Sequence, residues 1–465
     1  MLRFLKQYYP VRNAVFIIGE FYFIYFCIIL TSYLFMGHDQ FSLEHIISRK
    51  AFIITIICII CLYYNDLYNL KEINSYAELS IRLFQSLGVA TIILSFIYIL
   101  FHELIVAKEV FIISIILAIL IIISWRFGYN FILSRGIFNQ RIIILGSGEL
   151  AANIIHEIND KRDCGYTIKK IIPDSDEEIK FADKNLVLTV NEKGYTDLIH
   201  IAEGFNVSKI IVAMREKRGS LPVNELLNCR VAGIEVINGN SFYEMLTGKI
   251  YVKQINPGWF IFAEGFKRSV GQYFLKRITD IFASTILLII TLPIIIITAI
   301  IIKIESKGPV IFSQERIGEN KKKYTLYKFR SMNSDAETGT GPVWAQLNDS
   351  RITRVGKLIR QWRIDEIPQL WNVLKGDMSF VGPRPEREFF INKLETIIPF
   401  YKVRFSVKPG LTGWAQINYR YSSSEDDALQ KLNYELFYVK NMSLLIDLVV
   451  IVRTIHTVLF SKGAR

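Results

Sequence analysis

An adjacent carboxylate pair, Asp365-Glu366, sits among Arg354, Lys357, Arg360 and Arg363. With an ordinary pKa near ~3.9, an aspartate is ionised at neutral pH and can attack phosphorus without a general base. Phosphate charge repels it: at ~4 Å and an effective dielectric near ~20, each like-charge contact costs roughly 4 kcal/mol. Guanidinium groups and a divalent metal cancel that repulsion and stabilise the charge that develops on oxygen. Mg2+ is suited to the task, because it binds through one or two carboxylates plus substrate phosphates. Helical spacing puts Arg360 about one and a half turns before Asp365 and Arg363 less than one, so a cation reaches the same phosphate. Taken alone, a pair of this kind is usually a surface ion-pair network. The surrounding pattern decides otherwise.

That pattern is dense. Lys276-Arg277-x-x-Asp280, Gly308-Pro309-Val310-x-Phe312, Gln314-Glu315-Arg316-x-Gly318 and Lys328-Phe329-Arg330-Ser331-Met332 come first. Asp365-Glu366-x-Pro368-Gln369, Lys375-Gly376-Asp377-Met378-Ser379 and Gly382-Pro383-Arg384-Pro385 follow. With these motifs in this order, residues 270–465 resemble the polyprenyl-phosphate glycosyl-1-phosphate transferases, the bacterial sugar transferase family. The resemblance implies that Asp365 attacks the sugar-bearing phosphate of a UDP-sugar, releases UMP, and passes the phosphosugar to undecaprenyl phosphate. It assigns Glu366 to deprotonating the lipid phosphate or holding Mg2+ with Asp365, and Arg360 to orienting phosphate. Pro383, Arg384 and Pro385 would shape the nucleotide pocket, and Lys328 and Arg330 would contact phosphate or anchor at the membrane surface. Glucose or galactose is the expected sugar, and exopolysaccharide or O-antigen assembly the expected pathway. A homodimer among membrane lipids is expected, with no nucleic-acid partner. Many relatives read Asn-Gly-Arg where this chain has Asn418-Tyr419-Arg420, and Tyr-Asp where it has Tyr434-Glu435. Those departures bear on sugar and nucleotide preference.

The elements that must position this chemistry follow from hydrophobic patterning. Of 465 residues, 51% are hydrophobic, and the net charge is +12. The whole surplus falls after residue 266, which points to anionic lipid or phosphate-bearing substrates. Apolar runs at 13–36, 51–68, 81–101 and 110–133 approach the length a membrane helix needs. The first has no small-residue cleavage site after it and reads as a retained helix. Lys and Arg bias puts the N-terminus, the middle loop and everything after the fourth run in the cytoplasm of a bacterial inner-membrane protein. A fifth run, 281–304, is long enough for about 36 Å of helix, yet Pro293 interrupts it and both its flanks are basic. A re-entrant helix that dips into the membrane and returns satisfies these features.

Residues 141–266 alternate strand-like and helical patterns: Arg141–Leu145, Ile168–Ile172, Leu186–Val190, Lys209–Ala213 and Ile234–Ile237 as strands, Glu149–Ile158 as a helix. This predicts a Rossmann-like parallel sheet. Gly146-x-Gly148 after the first strand is either a tight turn or a dinucleotide loop, with Asp174 as the ribose acid. The Tyr-x-x-x-Lys spacing of dehydrogenases occurs at Tyr166/Lys170 and again at Tyr324/Lys328, without a convincing helix at either. The fold class is therefore a membrane α-helical N-terminal bundle (1–140), an α/β Rossmann-like middle domain (141–266) and a mainly α C-terminal catalytic domain (267–465).

Five cysteines form no disulfide framework, and Cys58-x-x-Cys61 reads as helix packing. Trp344, Trp362, Trp371 and Trp414 read as core or interfacial aromatics. Two other function classes stay open: a membrane-tethered NAD-dependent nucleotide-sugar dehydratase or epimerase, and a non-catalytic polysaccharide-assembly scaffold.

Overall fold

A computed structural model describes residues 11–43, 46–65, 67–68, 76–102, 108–134, 139–160, 164–174, 184–188, 197–214, 221–255, 257–263, 265–266, 269–333, 351–419 and 424–459. The chain divides into two compact units, Met1–Thr247 and Gly248–Arg465.

In the first unit, the four apolar runs become α1 (Val11–Leu43), α2 (Ile46–Tyr64), α3 (Tyr76–Leu100) and α4 (Lys108–Ser134). Ile24, Cys27, Ile54, Cys58, Leu83 and Ile122 pack together inside, while Ile92, Phe96, Ile116 and Leu120 point outward. Helices apolar on both faces suit lipid and not water. Among the described residues of this unit Phe16–Phe35, Glu78–Leu100 and Glu109–Tyr129 are long and apolar enough to cross a membrane, as is Val270–Glu305 of the second unit. The cysteines are free thiols, and Cys58 and Cys61 are buried as packing residues.

The remainder of this unit is the expected α/β fold. Its elements are β1 (Gln140–Leu145), α5 (Glu149–Asp160), β2 (Tyr166–Ile172), α6 (Leu198–Gly204), β3 (Lys209–Val212), α7 (Val223–Val231), β4 (Glu235–Asn238) and α8 (Gly239–Thr247). The sheet order is β2-β1-β3-β4, with every pairing parallel. Ile142–Leu145 of β1 are fully buried, as a strand covered on both faces must be. The strand expected at Leu186–Val190 is absent over its described part. A 3-10 turn occupies Lys184–Leu186 and uses the residues that would start it, leaving Val187 one isolated bridge to Ile171; residues 189–190 lie outside the described residues.

The second unit is mainly helical. It begins with α9 (Pro257–Phe262) and α10 (Val270–Glu305), then the hairpin β5 (Ile311–Ile317) and β6 (Lys323–Phe329). There follow α11 (Arg354–Gln361), α12 (Gln369–Lys375), β7 (Ser379–Val381), α13 (Glu388–Ile397), β8 (Gly410–Thr412), α14 (Trp414–Asn418), α15 (Glu425–Asn441) and α16 (Leu444–Leu459). β7 and β8 pair in parallel.

Ser269 and Gln272 start α10 with a reciprocal capping box, and the helix runs 36 residues with Pro293 inside it. At ~1.5 Å per residue that is about 54 Å, well beyond the ~30 Å of a hydrocarbon core. Asp280, Ser284, Thr298 and Ile302 lie on its buried face. Phe282, Ile289, Ile290 and Ile297 are exposed. Ile302 packs with Phe329 and Ile359, joining the helix's last turns to β6 and α11.

Candidate active site

The carboxylate pair is presented by a break in the chain. Thr353 starts α11 by accepting a 2.9 Å hydrogen bond from the Gly356 amide. Gly356 is required there, since a Cβ would collide with the Ser331 carbonyl. The helix stops at Gln361, and Arg363 takes a left-handed conformation (φ 54°). A non-glycine residue held in that region costs of order 1–3 kcal/mol. Asp365 and Glu366 then sit on a separate 3-10 turn, Ile364–Glu366. The helical spacing expected between Arg360 and Asp365 therefore does not hold. The turn at Arg363 re-aims the carboxylates.

Both acids are buried, each 8% exposed, but their surroundings differ. Glu366 Oε1 accepts from Lys328 and from Arg384 at 3.0 Å each, and Oε2 from Arg363 at 3.4 Å. Burial pushes the Glu366 carboxyl up, but the charges of Lys328, Arg384 and Arg363 outweigh it and hold the group well below the usual carboxylate range. Asp365 makes no hydrogen bond among the described residues. Burial first, and the Glu366 charge second, push its carboxyl up to about 6, against the pull of Lys328, Arg360 and Arg384. An aspartate so placed is ionised at neutral pH yet poorly compensated, which suits a nucleophile.

Supporting contacts set the cations. Asn372 on α12 donates to the Thr325 carbonyl at 2.7 Å and accepts from the Tyr327 amide at 3.1 Å; this docks β6 and points Lys328 at Glu366. The Pro383-Arg384-Pro385 segment is pinned by three donors. The Gly410 amide reaches the Pro383 carbonyl at 2.9 Å, Arg404 the Arg384 carbonyl at 2.8 Å, and Arg316 the Pro385 carbonyl at 3.2 Å. Arg404 is in turn paired with buried Glu435 at 2.8–2.9 Å. Glu435 is thus part of the scaffold behind Arg384.

The Lys276-Arg277-x-x-Asp280 motif is structural glue. Lys276 bonds Asp447 at 2.6 Å, Arg277 the Val373 and Leu374 carbonyls at 2.6 Å, and Asp280 accepts from the Phe380 amide at 2.9 Å. These bonds fasten α10 to α12, β7 and α16. The basic-acidic spacing of the motif was the only sequence signal for them.

Other expected residues fall elsewhere. Arg330 turns away from the acids and donates to the Lys307 and Ser306 carbonyls at 3.0 and 2.9 Å, satisfying the chain just past the end of α10. Arg360 keeps a buried Nη1 without a partner among the described residues. Gly146 has φ +126°, and a Cβ there would collide with the Ala213 backbone, so only glycine fits at this turn. Asp174 accepts from the Ser147 amide and hydroxyl at 2.8 and 2.6 Å, bracing the same Gly146–Gly148 turn. Tyr166 and Lys170 lie on β2, and Tyr324 and Lys328 on β6; neither pair is on a helix. Trp414 is buried, donating to the Gly248 carbonyl at 2.8 Å, and Trp362 and Trp371 are exposed. Trp344 and Arg420 lie outside the described residues.

One carboxylate of the pair, Asp365, is open to a hard divalent cation. Among the described residues no three His, Cys, Asp or Glu side chains gather as a dedicated cage. Mg2+ needs only one or two carboxylates, completing its shell with phosphate and water oxygens. Asp365, with oxygens unclaimed by protein donors among the described residues, is the carboxylate that would hold it; the Glu366 oxygens, expected to share the ion, are taken by Lys328, Arg384 and Arg363.

Residues 271–461 match the family model described as bacterial sugar transferase. The chain is 41% identical over 240 residues to a UDP-N-acetylgalactosamine-undecaprenyl-phosphate N-acetylgalactosaminephosphotransferase of Aeromonas hydrophila, covering 52% of this chain and 56% of that protein. It is 31% identical over 350 residues to a UDP-glucose:undecaprenyl-phosphate glucose-1-phosphate transferase of Klebsiella pneumoniae, covering 73% and 70% respectively. A putative undecaprenyl-phosphate N-acetylgalactosaminyl 1-phosphate transferase of Bacillus subtilis is 52% identical over 130 residues, 28% of this chain and 72% of that one.

Proposed function

This chain belongs to the bacterial sugar transferase family, and from that premise we propose that it transfers a sugar 1-phosphate from a UDP-sugar to undecaprenyl phosphate in polysaccharide assembly. The observation that carries the reading is the inequality within the acid pair: Glu366 is neutralised by three cations and Asp365 is not.

In the first step an Asp365 carboxylate oxygen attacks the sugar-bearing phosphorus. An acyl-phosphate bond forms, the bond to the bridging oxygen breaks, and UMP leaves with that oxygen. In the second step an oxygen of the lipid phosphate attacks the same phosphorus. The acyl-phosphate bond breaks, Asp365 is regenerated, and a polyprenyl-diphosphate sugar departs. Lys328, Arg363 and Arg384 act by offsetting the charge of Glu366, so that phosphate can approach the pair. Arg360, with a free buried donor beside Asp365, orients the transferring group. Bound Mg2+, held by Asp365, would neutralise diphosphate charge.

The Lys and Arg distribution supports a catalytic unit on the cytoplasmic face of the inner membrane. A re-entrant α10 is supported by its contacts. Arg277 and Asp280 bond the unit near one end of the helix, and Ile302 packs into it near the other. A helix that crossed the bilayer would leave its far half free of this domain. Residues 141–266 are assigned to assembly, as a scaffold or dimerisation module.

The relatives' names divide between N-acetylgalactosamine and glucose. The test is purified protein given undecaprenyl phosphate and a panel of UDP-N-acetylgalactosamine, UDP-glucose and UDP-galactose, with UMP as the readout. One sugar should release UMP with wild type and none with Asp365→Asn. UMP release by the Asn variant would exclude the mechanism, and NAD-dependent turnover without lipid would favour a dehydratase.

A further inference from the structure

Beside the acid pair the second unit holds a cleft of about 240 Å3, with Arg363 and Glu366 in its lining. Leu287 of α10, Leu370 of α12, Phe380 of β7, Leu411 of β8, Ile417 of α14 and Val458 of α16 wall the remainder. Its threonines add little polarity. Thr291 bonds the Leu287 carbonyl at 2.6 Å, Thr457 the Arg453 carbonyl at 2.9 Å, and Thr412 and Thr454 bond each other at 2.7 Å. With those hydroxyls spent, the walls present mostly methyl and methylene groups; Gln416 also lines the cleft, its side-chain oxygen without a partner among the described residues. Arg363, which also donates to Glu366 Oε2 at 3.4 Å, offers the cleft a guanidinium.

A largely apolar trough with a cation at one end is complementary to an anionic head on a hydrocarbon tail; a sugar or a nucleoside would find one open acceptor, Gln416, and leave most of its hydroxyls unpaired. We propose that this cleft takes the phosphate-proximal isoprene units of the lipid acceptor, with the acceptor phosphate at Arg363 and the UDP-sugar entering from the Arg384 side. An apolar cavity of ~150 Å3 holds a benzene ring, so the cleft has room for about two five-carbon units. The wall contributed by α10 is continuous with that helix's exposed apolar face at Ile289, Ile290 and Ile294, along which the remaining tail can pass into lipid. The roles of donor and acceptor then separate in space: Arg384 and Arg363 hold opposite oxygens of Glu366.

This inference rests on the transfer reading and deepens it. The test fills the cleft with Ile417→Trp and follows each half-reaction. Without lipid, the stoichiometric UMP burst from UDP-sugar should persist. With lipid, KM for undecaprenyl phosphate should rise at least about tenfold, as expected when an apolar subsite is blocked. An unchanged lipid KM, or an equal rise in the UDP-sugar KM, overturns the assignment. If Ile417→Trp also loses the burst, crosslinking of wild type with a benzophenone-bearing prenyl phosphate decides. Label on peptides 411–417 and 454–458 supports the cleft, and label elsewhere removes it. Crosslinking needs no turnover, so failure of the wild-type burst would count against the transfer reading alone.

Discussion

Two buried charge sites in this molecule are built on opposite principles. In the helical bundle, Arg126 donates to both carboxylate oxygens of Glu20 at 2.6 and 3.0 Å and to the Leu67 carbonyl at 2.7 Å. The rings of Phe16 and Tyr68 flank its guanidinium. One anion meets one cation in a closed, bidentate pair. In the catalytic unit, Glu366 consumes three cations while Asp365 remains without a hydrogen bond among the described residues. A closed pair fastens helices together. An unequal pair stores electrostatic free energy that an approaching cation can release.

The widest gap between the sites should appear on removing Asp365. Asp365→Asn should lower UMP release at least about 10⁴-fold, the scale seen when a covalent nucleophile is lost. No such activity should depend on Glu20 or Arg126. Next in size is the closed pair. Arg126→Met should cost roughly 3–5 kcal/mol of stability by stranding Glu20, while the double variant Glu20→Met/Arg126→Met should be near neutral. Unfolding of the protein in lipid nanodiscs measures both; additive losses would show that the pair is not coupled.

Asp365→Asn should act in the opposite sense on stability. The Asp365 carboxyl is raised to about 6 in the folded chain, so its ionised form is penalised on folding. That penalty is full above the folded value and fades as pH falls toward the ordinary carboxylate range near ~4. The Asn variant should therefore be more stable by about 1–3 kcal/mol at pH 7 and equal to wild type near pH 4. A loss of stability at pH 7 would mean that Asp365 is compensated after all.

The smallest effect is on the pH profile. UMP release should fall about tenfold per pH unit below about 6, as Asp365 gains its proton. Lys328→Met removes a charge that lowers the Asp365 value, so the acid limb should move to higher pH. A limb that stayed in place would separate Lys328 from the nucleophile.

Much of this was legible in the sequence because it depends on periodicity and local motifs. The four apolar runs became four helices, and alternation at 141–266 became a parallel sheet. Lys328 and Arg384, read from their motifs as phosphate and nucleotide contacts, both bond Glu366. Side-chain direction was harder to read. Lys328 and Arg330 are two apart, which puts both on one face of a strand, but β6 ends at Phe329. Arg330 lies beyond the pleat and turns to the carbonyls of Ser306 and Lys307. Arg360 and Asp365 were related by a helical period that Arg363 interrupts, and a left-handed arginine has no sequence signature. Glu435 is the buried partner of Arg404, a contact between residues 31 apart in the chain that no local motif announces.

Trapping the intermediate tests the central claim most directly. Wild-type protein given the cognate UDP-sugar without lipid, quenched in acid and digested, should carry a phosphosugar on the peptide containing Asp365, and added undecaprenyl phosphate should discharge it. UMP formation only when lipid is present, with no adduct on that peptide, would contradict the account.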